Sequence, residues 1–485
     1  MTGFIMTAQL ILGLSILVIL HEFGHYLFAK IFKTRVEQFY LFFNPKISII
    51  RAKKINGKWQ VRFFSKNTPS KFRRKMDANG NTIKDEKGND KFEPIPMEEL
   101  KDNDWRKYPE STEWGLGWLP FGGYCSIAGM IDENKKANQL ESEPQPWELR
   151  SKPAWQRLFV MIGGVVMNLV LGLALFVFVT YRYKQYLPND QVLKNGIYVY
   201  DAGRQLGFET GDKILAVNGK KIIRFDDAIK TGVFFGSNII IDRNGKQMNV
   251  VIPDTAYRML KEDIFKPDYP VIVDSVLSNT PAQRAHICKK DKIVSLNEEP
   301  VKSFESFLKK MEQYTFQNCI IGVVREQDTL FLPTQFDSIP KIGIIVHNPY
   351  KKESYTFEQA VKYGISDAMD LLSANIKGFR NLIKGKEKAT ESLQGPIGIA
   401  SLYGGVWDWA KFWFITAVIS LILAFMNILP IPALDGGHLV FILIEMITRR
   451  KPSDKIIEYA QIAGMVILVM LMFFVIGNDI FKLFK

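Results

Sequence analysis

The chain has 485 residues, a formal net charge of +13 and 47% hydrophobic residues. That length allows two to four domains, and the apolar residues come in blocks, which excludes a uniformly soluble chain and points to membrane spans separated by polar inserts. Lys and Arg gather at the ends of those blocks without interleaved basic and aromatic motifs, so the charge argues for membrane orientation and not for nucleic acid.

The first block, Phe4–Phe32, is long enough to span a bilayer as a helix. It lacks a basic leader and a small-residue cleavage site, so it reads as a retained helix and not as a signal peptide. It also carries His21-Glu22-Phe23-Gly24-His25. Ionisable groups in a span are costly and mark function. His21 and His25 are i and i+4, on one helical face, where both can ligate one zinc ion. Glu22 lies beside them, placed to take a proton from water at that ion.

Three further spans are expected near Trp155–Tyr181, Phe412–Leu429 and Ile457–Phe484. Lys30, Lys33 and Arg35 follow the first span, Arg150, Lys152 and Arg157 precede the second, and Arg449, Arg450, Lys451 and Lys455 lie between the last two. These ends are assigned to the cytoplasmic side, which leaves 182–410 and both termini outside. Cys125 then falls inside, and Cys288 and Cys319 fall outside, where a disulfide is permitted but not required.

Between the first two spans, Lys46–Ile50 and Lys58–Phe64 flank Asn56-Gly57, a hairpin signal. This predicts a small sheet at the cytoplasmic membrane surface. Residues 66–113 read as a solvated polar insertion; Asp77–Asn81 starts like a calcium loop but has a misplaced glycine. Gly115–Tyr124, rich in glycine and aromatics, is expected as a re-entrant loop or an edge strand. The second span carries Gly163-Gly164 and Asn168; the glycines allow close helix approach, and Asn168 is at least as readily structural as catalytic.

The outer region repeats itself. Gly211–Asn218 resembles Lys290–Asn297, with Asp212 and Asp291 in register, and Ile222/Val301 and Phe225/Phe304 keep the same offset. The D-x-I-x-x-x-N pattern followed by a helix resembles PDZ domains, expected near 188–256 and 268–346, although neither copy has a clean G-L-G-F loop. From Phe357 to Ile383 apolar residues recur at helical spacing, which predicts an amphipathic helix lying on the outer membrane surface or on the PDZ domains. Gly395-Pro396-Ile397-Gly398 breaks the chain before the third span.

A catalytic zinc site has three protein ligands and an open position. The candidate third ligand is Asp435, in Asn427-Ile428-Leu429-Pro430-Ile431-Pro432-Ala433-Leu434-Asp435-Gly436-Gly437. Asp is equally a favoured helix N-cap; beside an intramembrane H-E-x-x-H the ligand reading prevails. His438 would close the site as a fourth ligand, so a structural role suits it better. Asn427 is a candidate to hydrogen-bond a substrate strand or a developing oxyanion, with helix packing as the alternative.

His21–His25, the Asn427–Gly437 motif and the tandem insertion together resemble the site-2 protease family of intramembrane zinc metalloproteases. The closest resemblance is to the bacterial sigma-E regulator protease type with two PDZ domains. The resemblance implies that His21, His25 and Asp435 bind Zn2+ and that Glu22 is the general base. It implies hydrolysis of peptide bonds within transmembrane segments of single-pass membrane proteins, such as anti-sigma factors and remnant signal peptides, in the bacterial cytoplasmic membrane, with the PDZ pair on the periplasmic side contacting peptides or filtering by size. The expected fold class is a multi-pass α-helical membrane protein with four transmembrane helices, a small membrane-associated β-sheet and two α/β PDZ domains. Its parts would be a first helix over 1–35, a β-rich loop and insertion over 36–152, a second helix over 153–184, PDZ domains over 185–260 and 261–350, an outer helix and linker over 351–405, a third helix with its motif over 406–448 and a fourth over 449–485. The competing reading is a membrane-anchored PDZ scaffold with a vestigial metal site.

Overall fold

The computed structural model describes residues 2–69, 72–76, 82–83, 92–120, 122–130, 144–230, 236–253, 256, 263–312, 318–335, 341–385, 390 and 393–483. The suggested calcium loop, Asp77–Asn81, lies outside them. The chain divides into two compact units, one of residues 1–179 with 361–485, the other of residues 180–360.

In the first unit the helices are α1 (Thr2–Ile31), α2 (Ala154–Arg182), α3 (Phe357–Ile383), α4 (Pro396–Tyr403), α5 (Trp409–Ile428), α6 (Asp435–Thr448) and α7 (Asp454–Leu483). Four of them, α1, α2, α5 and α7, are long and apolar enough to cross a membrane. They match the four expected spans to within a few residues. The helix α6 was not anticipated, because two prolines and two glycines at its start hide the helical pattern that follows.

A five-stranded sheet fills the segment between α1 and α2. Its strands are β1 (Val36–Leu41), β2 (Ile47–Ile55), β3 (Lys58–Lys66), β4 (Glu113–Leu116) and β5 (Tyr124–Ile127), in the order β3-β2-β4-β1-β5. Asn56 and Gly57 both have positive φ, +47° and +81°, the two-residue turn that matches strand twist. β1 and β4 pair in parallel, a link across some seventy residues that no local pattern reveals. Gly115–Tyr124 is not one edge strand: Gly115 and Leu116 end the interior strand β4, Leu119 makes an isolated bridge to Phe43, and only Tyr124 enters the edge strand β5. Ala29, Val36, Ile127, Leu149, Val160, Met161, Leu439 and Ile442 form one buried cluster that fastens the sheet to α1, α2 and α6.

The amphipathic helix α3 spans the expected residues, and within the helical unit it packs on α2 and α5. Ala368 is buried with Phe176 of α2 and with Ala417 and Leu421 of α5, and the Phe379 and Phe425 rings lie 5.7 Å apart. Its small residues explain this: a Cβ on Gly364 would sit 2.8 Å from the Val177 backbone.

The second unit holds two buried cores. The first runs from Leu187 to Phe265 and the second from Val271 to Ile342. The first includes Ile264 and Phe265, since strand Phe265–Pro267 pairs with Ile197–Val199. The repeat seen in the sequence is repeated in contacts. Asp212 is buried and its carboxylate takes Nε and Nη2 of Arg243, both at 2.8 Å. Asp291 is buried and takes Nε and Nη2 of Arg325, also at 2.8 Å. Asn218 and Asn297 both adopt positive φ, and each accepts the amide of the neighbouring strand, from Asn238 at 2.9 Å and from Ile320 at 2.7 Å. The acid thus anchors an arginine and the Asn closes a turn onto the next strand, so the pattern has a structural cause in both copies. The thiols of Cys125, Cys288 and Cys319 are free.

Candidate active site

Two elements in contact build the first half of the site. α1 and α2 approach backbone to backbone where small residues meet: a Cβ on Gly24 would lie 2.2 Å from the Gly163 carbonyl oxygen. His21 lies about one turn before Gly24 on α1 and His25 directly after it, and their Nε2 atoms are 3.3 Å apart. Gly164 leaves room for them, because its Cβ would sit 2.6 Å from both imidazoles.

Asp435 arrives from the other half of the chain. It is the first residue of α6, after a turn in which Ala433 has φ +75°. The turn folds back so tightly that a Cβ on Gly436 would lie 2.0 Å from the Leu429 carbonyl oxygen. The N-cap position belongs to Leu434, without a side-chain cap, so the carboxylate of Asp435 is free of that duty. Its Oδ2 lies 3.1 Å from His21 Nε2 and 3.4 Å from His25 Nε2.

These three side chains form a cluster with metal-ligand geometry, each offering one atom. Asp435 Oδ2 is buried and makes no hydrogen bond despite its short contacts. Two imidazole nitrogens and a carboxylate oxygen converging on one point leave lone pairs facing each other, an arrangement a cation relieves. Two His and one carboxylate also leave one position of a tetrahedral ion open.

The imidazoles are oriented from behind. His25 Nδ1 lies 2.8 Å from the Val160 carbonyl oxygen. A carbonyl only accepts, so Nδ1 carries the proton and Nε2 presents its lone pair. His21 Nδ1 lies 3.2 Å from the side-chain amide of Asn168. With the amide nitrogen turned to the ring, Asn168 Oδ1 is buried without a partner. Exchanging oxygen and nitrogen lets Oδ1 accept the Nδ1 proton and frees Nε2 of His21 in the same way. Asn168 was legible in the sequence as a polar group in a span, but its partner was not. The Val160 carbonyl left no signal at all.

Glu22 lies next to His21 in α1, and the backbone of Cys125 on the edge strand β5 comes close to its carboxylate. The sheet thereby reaches the site. Asn427 sits in the last turn of α5; among the described residues it forms no side-chain hydrogen bond, so the structure does not join it to the other four. His438 stays outside the cluster, its Nε2 accepting from Gln461 of α7 at 2.8 Å.

The family model described as "Peptidase family M50" matches residues 9–74 and 104–471. A protein of Rickettsia conorii named "Putative zinc metalloprotease RC0203" is 24% identical over 506 aligned residues, covering 100% of this chain and 99% of the relative. A "Putative zinc metalloprotease" of Borreliella burgdorferi is 25% identical, covering 92% of each chain. The "Regulator of sigma E protease" of Haemophilus influenzae is 26% identical, covering 78% of this chain and 89% of the relative.

Proposed function

The chain belongs to peptidase family M50, the site-2 protease family, and from that premise we propose that it cleaves single-pass membrane proteins within their transmembrane segments. It is a zinc metalloprotease of the membrane; its substrates are the proposal, and anti-sigma factors and remnant signal peptides are the class in mind. One observation carries the reading: His21 and His25, on a helix long and apolar enough to span a bilayer, converge with Asp435 at the start of α6, next to Glu22.

In this reading His21, His25 and Asp435 hold the zinc. The ion supplies Lewis acidity, polarising a carbonyl oxygen and bringing the pKa of water at the site towards roughly 7. The chain's own groups do the rest. Glu22 accepts the proton of the attacking water and returns it to the leaving amine. The Val160 carbonyl and Asn168 hold the two imidazoles in the tautomer that points Nε2 at the ion. Asn427 hydrogen-bonds the substrate strand or the developing oxyanion. A substrate helix must unwind first, because its carbonyls are already hydrogen-bonded; the hairpin of β2 and β3 at the membrane surface offers an edge for the unwound strand.

The repeat domains are read as PDZ domains outside the membrane, contacting peptides or limiting substrate size. The charged ends of the spans support this side assignment, and Arg157 of α2 pairs with Glu445 of α6 at the cytoplasmic end. The intact donor set argues against a scaffold with a vestigial site. The direct test is a single-pass reporter co-expressed with the full chain. Glu22→Gln should abolish the cleaved product, and cleavage at the wild-type rate would refute the role of Glu22.

A further inference from the structure

A cleft on the five-stranded sheet takes no part in the proposed chemistry. Its volume is about 220 Å³, and Arg51, Arg62, Thr68, Lys101, Asn103 and Trp105 line it. Lys101 and Asn103 belong to the stretch 75–103 that the family match passes over. The cleft is therefore built partly by this chain's own insertion.

Arg51 and Arg62 are direct cross-strand neighbours on β2 and β3. Like charges in that position repel, yet both guanidiniums stack on one indole, that of Trp105, at 4.7 and 4.3 Å from the ring centre. Trp105 is 1% exposed, and its Nε1 donates to Gln60 at 2.9 Å, so the platform is fixed. Arg51 is 4% exposed. Its Nε donates to Ser65 at 2.7 Å, and its Nη1 to Thr68 at 2.8 Å and to Glu113 at 3.4 Å. Its Nη2 has no hydrogen-bond partner among the described residues, although the side chain lines the cleft. A guanidinium donor left over on the wall of a cleft is open to an acceptor there.

The local charges do not balance. Glu113 is occupied by Arg51, Thr68 and Tyr40, and Asp104, which also lines the cleft, is held by Arg106 at 2.7 Å. Arg62 and Lys101 form no ion pair among the described residues. Burial and the neighbouring Arg51 push the Arg62 guanidinium down, against Glu113 and Asp104, which act the other way.

We propose that this cleft binds the phosphate group of a small phosphorylated molecule or of an anionic phospholipid headgroup. Two arginines with fixed planes and one lysine match a phosphate in charge and donor number. The volume is below the roughly 300 Å³ at which drug-sized ligand pockets begin, which suits a headgroup-sized anion and excludes a nucleotide. The opposite face of β3 exposes Trp59, Val61 and Phe63, at 59, 50 and 64%. A tryptophan among exposed apolar residues is the pattern of a membrane interface.

The test compares the full-length wild type with Arg62→Ala/Lys101→Ala, a pair outside the peptidase site and outside the buried network of Arg51. Binding of inorganic phosphate is titrated in neutral detergent by calorimetry. Retained lipid is counted by native mass spectrometry after release from nanodiscs of phosphatidylglycerol or of phosphatidylcholine. The proposal expects the wild type to bind phosphate saturably or to retain phosphatidylglycerol selectively, with a loss of about tenfold or more in the double variant. Selective retention of phosphatidylglycerol assigns the headgroup as the source; phosphate binding without retained lipid assigns a soluble phosphate. The thermal transition of the double variant should match the wild type. Neither phosphate binding nor selective retention in the wild type overturns the proposal, as does a double variant that binds like the wild type.

Discussion

His25 Nδ1 and the carbonyl oxygen of Val160 are 2.8 Å apart across the contact between α1 and α2. Through that contact the second helix, which gives the site no ligand, decides which nitrogen of the first helix faces Asp435. Asn168 acts on His21 from about two turns further along the same helix.

With its amide oxygen turned to the ring, Asn168 accepts the Nδ1 proton of His21 and orients it. Asn168→Leu should lower zinc affinity and turnover by roughly ten- to a hundredfold, the usual cost of losing a partner behind a metal ligand. Asn168→Asp keeps an acceptor and should retain most of the zinc. Metal analysis after dialysis against a graded chelator separates the two. Equal zinc loss in both variants would show that Asn168 serves only packing.

Gly164 leaves space that the two imidazoles occupy. Gly164→Ala places a methyl group 2.6 Å from His21 Cε1 and His25 Nε2. The rings must move, so zinc should be lost and cleavage should fall below detection while helical circular dichroism is unchanged. Wild-type zinc content in this variant contradicts the geometry.

The Gly395-Pro396-Ile397-Gly398 segment proves to be the start of α4. Asp479 of α7, 4% exposed, accepts the amides of Gly395 at 3.0 Å and Gly398 at 2.9 Å. Asp479→Leu strands both donors, at a cost of about 1–3 kcal/mol for each. The melting temperature in detergent should drop clearly, and Asp479→Asn, which keeps an acceptor, should drop less.

Asp268 supplies a pH test in the outer unit. Burial pushes its carboxyl up to about 6, against hydrogen bonds from Ser303 and the Tyr269 amide that act the other way. Its Oδ1 is buried without a partner. The folded state therefore holds a proton that the unfolded chain releases near pH ~4. Stability falls as pH rises from there through about 6. Asp268→Asn should remove this slope and stabilise the unit at pH 7.5 relative to the wild type. Proteolytic susceptibility of the 185–350 region at pH 5 and pH 7.5 measures it, and an unchanged slope in the variant rules Asp268 out as its source.

Local signals were legible in the sequence and distant ones were not. His21, Glu22 and His25 could be read because helical periodicity puts them together within one segment. Asn56-Gly57 declared its hairpin because positive φ selects those residues, and the repeat declared itself because Asp212 and Asp291 perform one task twice. The strands β1, β4 and β5 escaped, since their pairing joins Val36–Leu41 to residues far down the chain and each is short. Helix α6 escaped because Pro430, Pro432 and the Gly436-Gly437 pair look like loop. The seat of α3 escaped because amphipathicity reveals that a face is buried but not against what. Among the site residues, Asp435 needed its sequence neighbours to be singled out, whereas the Val160 carbonyl could not be, since any residue type supplies one.

In the proposed reaction His21, His25 and Asp435 hold the zinc while Glu22 moves the proton. The most direct measurement determines zinc content and reporter cleavage side by side in purified wild type, Glu22→Gln and Asp435→Ala. The account expects Glu22→Gln to keep zinc at the wild-type stoichiometry with no cleavage, and Asp435→Ala to lose both. Cleavage by Glu22→Gln, or full zinc occupancy in Asp435→Ala, would contradict it.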